Sequence, residues 1–274
     1  MADMNLTLSR KLARHTNIMD VKVPAALERS VPLAKDGHRV AFMNEVFGGT
    51  GATPSSSNLF TGMPGAGKTT LLLQMADALT AQGHFCLFNG NEEAVVQVRK
   101  TVRRLGLKHG FICGNDVMVA DLLDHAKELC EAAKGKKAKD GSPVQVFIIV
   151  DSLQTMDDGM YANGHTNSNT PLRVVEMITE FCKTPQAVSH ERDKDAIYPI
   201  AMIIGHVTKA GDFAGKQSIK HTVDSHMHLR IDIDPKSDTC GKRLIGMTKN
   251  RFSGCGIEYC LNMTSKGLVE DGSS

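Results

Sequence analysis

Residues 62–69, with the sequence GMPGAGKT, are the segment whose residue types and spacing carry the clearest chemistry. The pattern G-x-x-x-x-G-K-T is typical of loops whose backbone N–H groups bind nucleotide phosphates. Its glycines let the backbone turn inward, Lys68 can reach the β- and γ-phosphates, and the Thr69 hydroxyl can ligate Mg²⁺. The residues that we predict to bind ATP are Gly62, Met63, Pro64, Gly65, Ala66, Gly67, Lys68, Thr69 and Thr70.

Carboxylates follow two of the apolar runs of the chain. Asp151 ends the run FIIVD at 147–151, and Glu92 and Glu93 come shortly after the run HFCLFN at 84–89. Ligands of an open α/β sheet bind at the carboxyl ends of its strands, so Asp151 is expected to hold Mg²⁺ through water. One of the two glutamates would deprotonate the attacking water. The alternatives are an Asp151 that caps a helix and glutamates that only favour a helix start, and both glutamates remain candidates.

The segment GHVTKAGDFAGKQSIK at 205–220 is a glycine-rich loop with an excess of cations. Its basic residues are Lys209, Lys216 and Lys220, and its only acidic residue is Asp212. The longer range 204–256 holds nine Lys or Arg against five Asp. Cations on such a loop suit contacts to a nucleic-acid backbone, which do not depend on base sequence. We therefore predict that these three lysines bind DNA, the alternative being a solvated lid over the phosphate site.

The segments around these residues alternate between short apolar runs and amphipathic stretches. Strands are predicted at 57–61, 84–89, 111–113, 144–150 and 199–205, and helices at 69–82, 92–105, 119–133 and 172–183. From about residue 222, alternating residues around turns predict an antiparallel meander. The fold class is therefore α/β, a mostly parallel twisted sheet flanked by helices with an antiparallel C-terminal edge. A strand before residues 62–69 and a helix after them favour a phosphate loop over a glycine-rich turn without a ligand.

Composition narrows the class of protein further. The 274 residues are 41% apolar and 23% charged, which excludes a mainly disordered chain. No apolar run approaches the roughly 20 residues that span a bilayer, and no secretory signal is recognisable at the start. Seven cysteines without a C-x-x-C pair predict reduced thiols in a cytoplasmic protein. We divide the chain into an N-terminal extension at 1–40, an expected oligomerisation arm, and a nucleotide-binding domain at 41–274.

Several motifs together resemble the RadA/Sms family, bacterial relatives of RecA that act in DNA recombination and repair. The motifs, in the order that the family has them, are GMPGAGKTTLLLQ (62–74), NEEAVVQ (91–97), VDSLQT (150–155), GHVTKAGDFAG (205–215), HTVD (221–224) and KNRF (249–252). The resemblance runs from about Met43 to Leu268 and implies a RecA-like P-loop ATPase core. Because the chain has no C-x-x-C pair and stops soon after Leu268, we expect the core without the family's zinc finger and Lon-protease-like domain.

The resemblance also implies roles for single residues. Glu92 matches the catalytic glutamate of the family, and His206 matches the residue that senses the γ-phosphate. Residues 207–220 match its second DNA-binding loop, and Lys249 and Arg251 match the cationic pair of its KNRFG motif. This pair is expected to reach the nucleotide of an adjacent subunit as arginine-finger-type residues, the alternative being a solvated charge pair at a sheet edge. Three departures from the family pattern are Asn91 for Gly, Lys216 for Pro and Ser253 for Gly.

The function that the sequence predicts is a DNA-dependent ATPase with ATP and Mg²⁺ as cofactors and no membrane association. It would bind single-stranded DNA as a homo-oligomer, a hexameric ring or a filament, and act by strand exchange or branch migration. The alternatives are a KaiC-like signalling ATPase, a DnaB-like helicase and a nucleotide-binding regulator without enzyme activity. Glu92 and the intact phosphate loop argue against a regulator without enzyme activity. The segments GHVTKAG and KNRF favour the RadA/Sms interpretation over the KaiC-like and DnaB-like alternatives.

Overall fold

The computed structural model describes residues 18–161, 164–188, 195–206 and 217–272. The helices within these ranges are α1 (Phe42–Val46), α2 (Lys68–Gln82), α3 (Val95–Arg104), α4 (Val119–Ala133), α5 (Thr170–Lys183) and α6 (Gln217–Thr222). The strands are β1 (Ser56–Gly62), β2 (Phe85–Gly90), β3 (Ile112–Gly114), β4 (Val146–Asp151), β5 (Ile200–His206), β6 (Ser225–Ile231), β7 (Arg243–Asn250), β8 (Glu258–Thr264) and β9 (Gly267–Glu270). Short 3₁₀ turns lie at Ile18–Asp20, Ala25–Leu27 and Leu153–Thr155.

The nine strands of the described ranges form one sheet in the order β3-β2-β4-β5-β1-β6-β7-β8-β9. Strands β3 to β6 of this order pair in parallel, and β6 to β9 pair antiparallel. The predicted fold class, a mostly parallel sheet with an antiparallel C-terminal edge, is confirmed. The parallel pairing of β6 with β1 places the antiparallel edge directly beside the strand that leads into the phosphate loop.

Helices cover both faces of the sheet, and the alternation of side chains along β1 shows how. Phe60 packs into the core under α2, where Leu72 is fully buried. Leu59 points the other way, into the core with α4 and α5 that contains Ile178. A strand covered on both faces is apolar at successive positions, which is why the sequences of β4 and β5 show continuous apolar runs rather than alternation.

The helix predicted at 92–105 begins later than expected. The residue before its first turn is Ala94, which has an extended backbone, and α3 runs over Val95–Arg104. Glu92 and Glu93 therefore precede the helix, so neither lies in its first turn. The strand predicted at 144–150 also begins later, at Val146, because Val144 donates its N–H to the Lys136 carbonyl in the preceding connection.

Residues before position 41 contribute to the main core. Leu33 and Val40 are fully buried in the core under α2, and Val31 exchanges backbone hydrogen bonds with Ala52 at 2.7 and 2.9 Å. Residues 1–17 lie outside the described ranges. The division of the chain at residue 40 and the oligomerisation arm stay predictions.

Candidate nucleotide site

Four strand ends bring the predicted catalytic residues together. β1, β2, β4 and β5 are neighbours in the parallel part of the sheet, so their carboxyl ends lie at one edge. The phosphate loop follows β1, Glu92 follows β2, Asp151 ends β4 and His206 ends β5. The sheet therefore positions side chains that are up to 144 residues apart in the chain, from Gly62 to His206.

The loop between β1 and α2 has the backbone that its glycines were expected to supply. Gly65 and Gly67 have φ of +76° and +109°, which residues with a side chain rarely adopt. At Gly62 a Cβ atom would lie 2.2 Å from the Leu229 carbonyl oxygen, so only glycine fits there. The loop ends where α2 begins at Lys68, and the N-terminus of that helix adds a partial positive charge.

Lys68 is buried at the start of α2, and its ammonium group folds back over the loop. Its Nζ donates to the Gly62 carbonyl at 2.8 Å and to the Met63 carbonyl at 3.2 Å. Burial lowers the pKa of Lys68, although the charges of Asp151 and Glu92 oppose that shift. Because the buried charge is poorly solvated, a phosphate oxygen at this position would stabilise it.

Thr69 and Asp151 form the oxygen pair predicted for Mg²⁺. The Thr69 Oγ1 donates to the Asp151 Oδ2 at 2.5 Å. Burial raises the pKa of Asp151, which is 6% exposed, and the hydrogen bond from Thr69 opposes that shift. A hydroxyl and a carboxylate are the hard oxygen ligands that Mg²⁺ prefers, so the residues present fit this ion. No cluster of three or more His, Cys, Asp or Glu suited to holding a metal occurs within the described residues.

Glu92 is held in a closed triangle with Ser152 and His206. The Ser152 Oγ donates to the Glu92 Oε1 at 2.5 Å, and the His206 Nε2 lies 2.6 Å from the same oxygen. The His206 Nε2 is also 3.0 Å from the Ser152 Oγ. Partial burial acts to raise the pKa of Glu92, but the hydrogen bonds from Ser152 and His206 outweigh it, so the pKa lies below its ordinary value. An ionised Glu92 is the form that can accept a proton from water.

Sequence reasoning assigned no role to two residues of this site, Ser152 and Gln154. Ser152 is fully buried at the end of β4, and the Gln154 Oε1 accepts from the His206 backbone N–H at 3.3 Å. Both belong to the segment VDSLQT that follows the apolar run of β4. Their position directly after Asp151, at the ligand-binding edge of the sheet, is the signal that could have found them.

Lys249 and Arg251 lie together at the end of β7, on the side of α6. The Lys249 Nζ donates to three carbonyl oxygens, those of Lys220, His221 and Val223, at 2.6–3.1 Å. Arg251 donates to the Asp224 Oδ1 at 2.9 Å and to the His221 carbonyl at 3.0 Å. Both cations are engaged at the C-terminal end of α6. Their role towards a nucleotide in another subunit stays a prediction.

Of the three lysines predicted to bind DNA, Lys209 and Lys216 lie outside the described residues. Lys220 lies in α6, and its carbonyl oxygen accepts from the Lys249 Nζ at 2.7 Å. The DNA-binding assignment of all three stays a prediction.

Comparison with known proteins identifies relatives across most of the chain, although no protein family model matches it. The DNA repair protein RadA of Mycobacterium tuberculosis is 30% identical over 252 residues, which are 87% of this chain and 45% of the relative. The protein of the same name from Campylobacter jejuni is 31% identical over 224 residues, 81% of this chain and 43% of the relative. That from Mycolicibacterium smegmatis is 29% identical over 233 residues, 84% of this chain and 43% of the relative.

The chain is a RadA-like member of the RecA superfamily. It spans about half the length of the curated relatives that it matches, since the aligned part is 43–45% of each.

A solved structure supports the fold of the RadA-like chain. It belongs to the KaiC-like protein PH0186 of Pyrococcus horikoshii, which superposes with a TM-score of 0.59 over 89% of this chain and 99% of its own. At 14% sequence identity the likeness concerns the fold alone. Among the described residues of the RadA-like chain, no helix has the length and apolar character needed to cross a membrane.

Proposed function

We propose that this chain binds ATP with Mg²⁺ at the loop of residues 62–69, hydrolyses it, and couples hydrolysis to single-stranded DNA in recombination or repair. The observation that carries the proposal is the contact of Glu92 with Ser152 and His206, beside Lys68 and the pair of Thr69 and Asp151. A phosphate cradle, a metal-binding pair and an ionised base at one sheet edge are the parts that hydrolysis of a nucleoside triphosphate requires.

Each residue of the site has a distinct part in the proposed reaction. Lys68 opposes the negative charge of the β- and γ-phosphates, and Thr69 and Asp151 would hold Mg²⁺. The bound ion supplies neutralisation of phosphate charge as it develops in the transition state. Glu92 accepts the proton of the attacking water, and His206 senses the γ-phosphate through its Nε2–H.

The DNA half of the proposal rests on the relatives and on the basic loop. The matching relatives carry the name DNA repair protein, and they match 81–87% of this chain. Lys209, Lys216 and Lys220 follow β5 in sequence, so DNA bound there would act close to His206. That nearness gives a route by which bound DNA stimulates ATP hydrolysis.

We further propose a homo-oligomer, as a hexameric ring or filament, in which the nucleotide of one subunit meets Lys249 and Arg251 of the next. In the single chain these cations bind α6 carbonyls and Asp224, so reaching a nucleotide would require them to exchange partners. A cytoplasmic location agrees with the seven free cysteines.

A KaiC-like or DnaB-like ATPase outside recombination is the alternative, and the fold shared with the KaiC-like protein is compatible with it. ATP turnover measured with and without single-stranded DNA separates the two. The proposal predicts turnover that rises with single-stranded DNA. Turnover that DNA leaves unchanged would favour the alternative, and no turnover under either condition would contradict the ATPase assignment.

A further inference from the structure

The carboxylate of Glu92 receives two hydrogen bonds on one of its oxygens. Both the Ser152 Oγ, at 2.5 Å, and the His206 Nε2, at 2.6 Å, approach the Oε1 atom. No hydrogen bond or ion pair of the second oxygen, Oε2, occurs within the described part of the chain. We propose that Ser152 is a positioning residue, which holds Oε1 so that Oε2 faces the attacking water. The inference rests on the proposed function of Glu92 as the base.

The positions of the protons among Glu92, Ser152 and His206 follow from the hydrogen-bonding capacity of each group. An ionised carboxylate only accepts hydrogen bonds, so both Ser152 and His206 must donate to the Glu92 Oε1. His206 therefore carries a proton on Nε2, and the same N–H is close enough to the Ser152 Oγ to be shared with it at 3.0 Å. In the neutral imidazole this Nε2–H is the only ring donor, because Nδ1 is then an acceptor.

The single Nε2–H donor of His206 cannot form full-strength hydrogen bonds to the Glu92 carboxylate and to a phosphate at the same time. When the Nε2–H of His206 turns to a phosphate oxygen, as its proposed sensing role requires, Glu92 loses one of its two donors. Ser152 then remains as the hydrogen bond that keeps the carboxylate in place. A hydrogen bond to a charged group is stronger than one between neutral groups, so this contact can fix the orientation of Glu92.

Ser152 is well placed for such a role because its own backbone is fixed. The residue is fully buried and lies between β4 and the turn Leu153–Thr155. Its carbonyl oxygen accepts from the Thr155 Oγ1 at 2.8 Å and from the Thr155 N–H at 3.3 Å. Glu92, in contrast, lies between β2 and α3, outside either element.

The first experiment measures steady-state ATP turnover of Ser152→Ala and Ser152→Thr. Loss of the hydroxyl is expected to lower kcat by about tenfold or more, the scale for losing one hydrogen bond to a charged group, with KM and nucleotide affinity within about twofold. Ser152→Thr keeps a donor at the same atom and should recover most of kcat. Ser142→Ala is the matched control, since this partly exposed serine donates to Asp140 in the connection before β4.

A double-mutant cycle then asks whether Ser152 acts through Glu92. In a Glu92→Gln background, Ser152→Ala should cause no further loss of kcat, because the group that it positions has lost its function. Equal loss in both backgrounds, or a loss of nucleotide affinity rather than kcat, would overturn the positioning role alone. Thermal melting of each variant identifies a loss of kcat that is caused by unfolding. If Ser152→Ala is unfolded, the kcat of Ser152→Thr is compared with that of the parent chain instead. Normal turnover of Glu92→Gln itself would overturn both the base assignment and the role of Ser152.

Discussion

At the scale of single residues, the candidate site holds opposite charges that burial makes costly. Burial lowers the pKa of Lys68 and raises that of Asp151, so the charged form of each is disfavoured. Phosphate next to Lys68 and a divalent cation next to Asp151 would each reverse that penalty. We therefore expect nucleotide and Mg²⁺ to bind cooperatively, each stabilising the charges that the other needs.

The first prediction concerns the two adjacent glutamates. Glu92→Gln should leave ATP binding intact while kcat falls by about 10² or more, because the phosphate cradle survives and the base is lost. Glu93→Gln is the matched control: Glu93 is exposed and precedes α3 without contacting Ser152 or His206 in the described part of the chain. Steady-state ATP turnover measures kcat, and equilibrium nucleotide binding measures ATP affinity separately. A crippling effect of Glu93→Gln, with Glu92→Gln active, would contradict the assignment.

Part of the site was predictable at this scale. Lys68, Thr69 and Asp151 follow from a spaced motif and from the end of an apolar run, both of which are local in sequence. The family resemblance favoured Glu92 over Glu93, but it did not reveal the contacts of Glu92 with Ser152 and His206, which come from two other strands. No pattern in the chain encodes the distance between residues on separate strands, so the hydrogen bond of Ser152 to Glu92 was not predictable.

At the scale of elements, strands and helices were predicted well where the pattern was long. The helix α4 occupies Val119–Ala133, the predicted range, because its apolar residues repeat with helical spacing. The predicted start of α3 at residue 92 was wrong, since Ala94 has an extended backbone and the Glu92 side chain accepts a hydrogen bond from Ser152 at the sheet edge. The parallel pairing of β6 with β1 was not predicted either, since pairing partners depend on how the chain crosses the sheet.

The second prediction concerns the polar contacts among β1, β6 and β7. The Thr61 Oγ1 lies 2.7 Å from the His226 Nε2 and 2.9 Å from the His228 Nδ1, so both histidines face the same side of β6. The His226 Nδ1 lies 2.6 Å from the Thr248 Oγ1. Burial, with smaller effects from Lys220, His228 and Lys249, lowers the pKa of His226 from 6.5 to about 4.

This shift makes the stability of the fold depend on pH. Between pH 6.5 and about 4 the unfolded chain binds a proton at His226 that the folded chain does not. The free energy of unfolding should therefore fall as the pH falls through this window, by up to about 1.4 kcal/mol per pH unit from this residue. Urea unfolding at about pH 7 and about pH 5 measures it, and His226→Gln should show the smaller difference. An equal difference in both proteins would contradict the buried neutral histidine.

The third prediction concerns the basic loop. Neutralising Lys209, Lys216 and Lys220 together should weaken binding of single-stranded DNA and flatten its salt dependence by up to about three charges. ATP affinity without DNA should stay nearly unchanged, because none of the three lysines belongs to the phosphate loop of residues 62–69. Neutralising the exposed lysines of the connection before β4, Lys136, Lys137 and Lys139, is a control with the same number of charges. Equal salt slopes for the two triple variants would favour a solvated lid instead.

At the scale of the whole molecule, the fourth prediction tests whether neighbouring subunits complete each site. A Lys68→Ala subunit and an Arg251→Ala subunit, each inactive alone, should recover some ATPase activity when mixed. The first supplies an intact arginine and the second an intact cradle, so one type of interface in the mixed assembly is complete. Turnover as a function of the mixing ratio is the measurement.

Two controls make the mixing experiment decisive. Arg251→Ala also removes one partner of Asp224, so thermal melting must show that this subunit is folded. Asp224 keeps contacts with the Ser57 N–H at 3.0 Å and with Lys183 at 3.4 Å, which should preserve the fold. Co-assembly without activity at any ratio would show that Arg251 does not act across the interface.

The central claim, that the loop of residues 62–69 drives ATP hydrolysis, is tested most directly by one comparison. ATP turnover in the presence of Mg²⁺ is measured for the unaltered chain and for Lys68→Ala, with thermal melting to show that both are folded. Loss of the Lys68 ammonium removes the cation opposite the β- and γ-phosphates, so we predict that the variant loses hydrolysis and binds ATP more weakly. Near-normal turnover by a folded Lys68→Ala protein would contradict the claim.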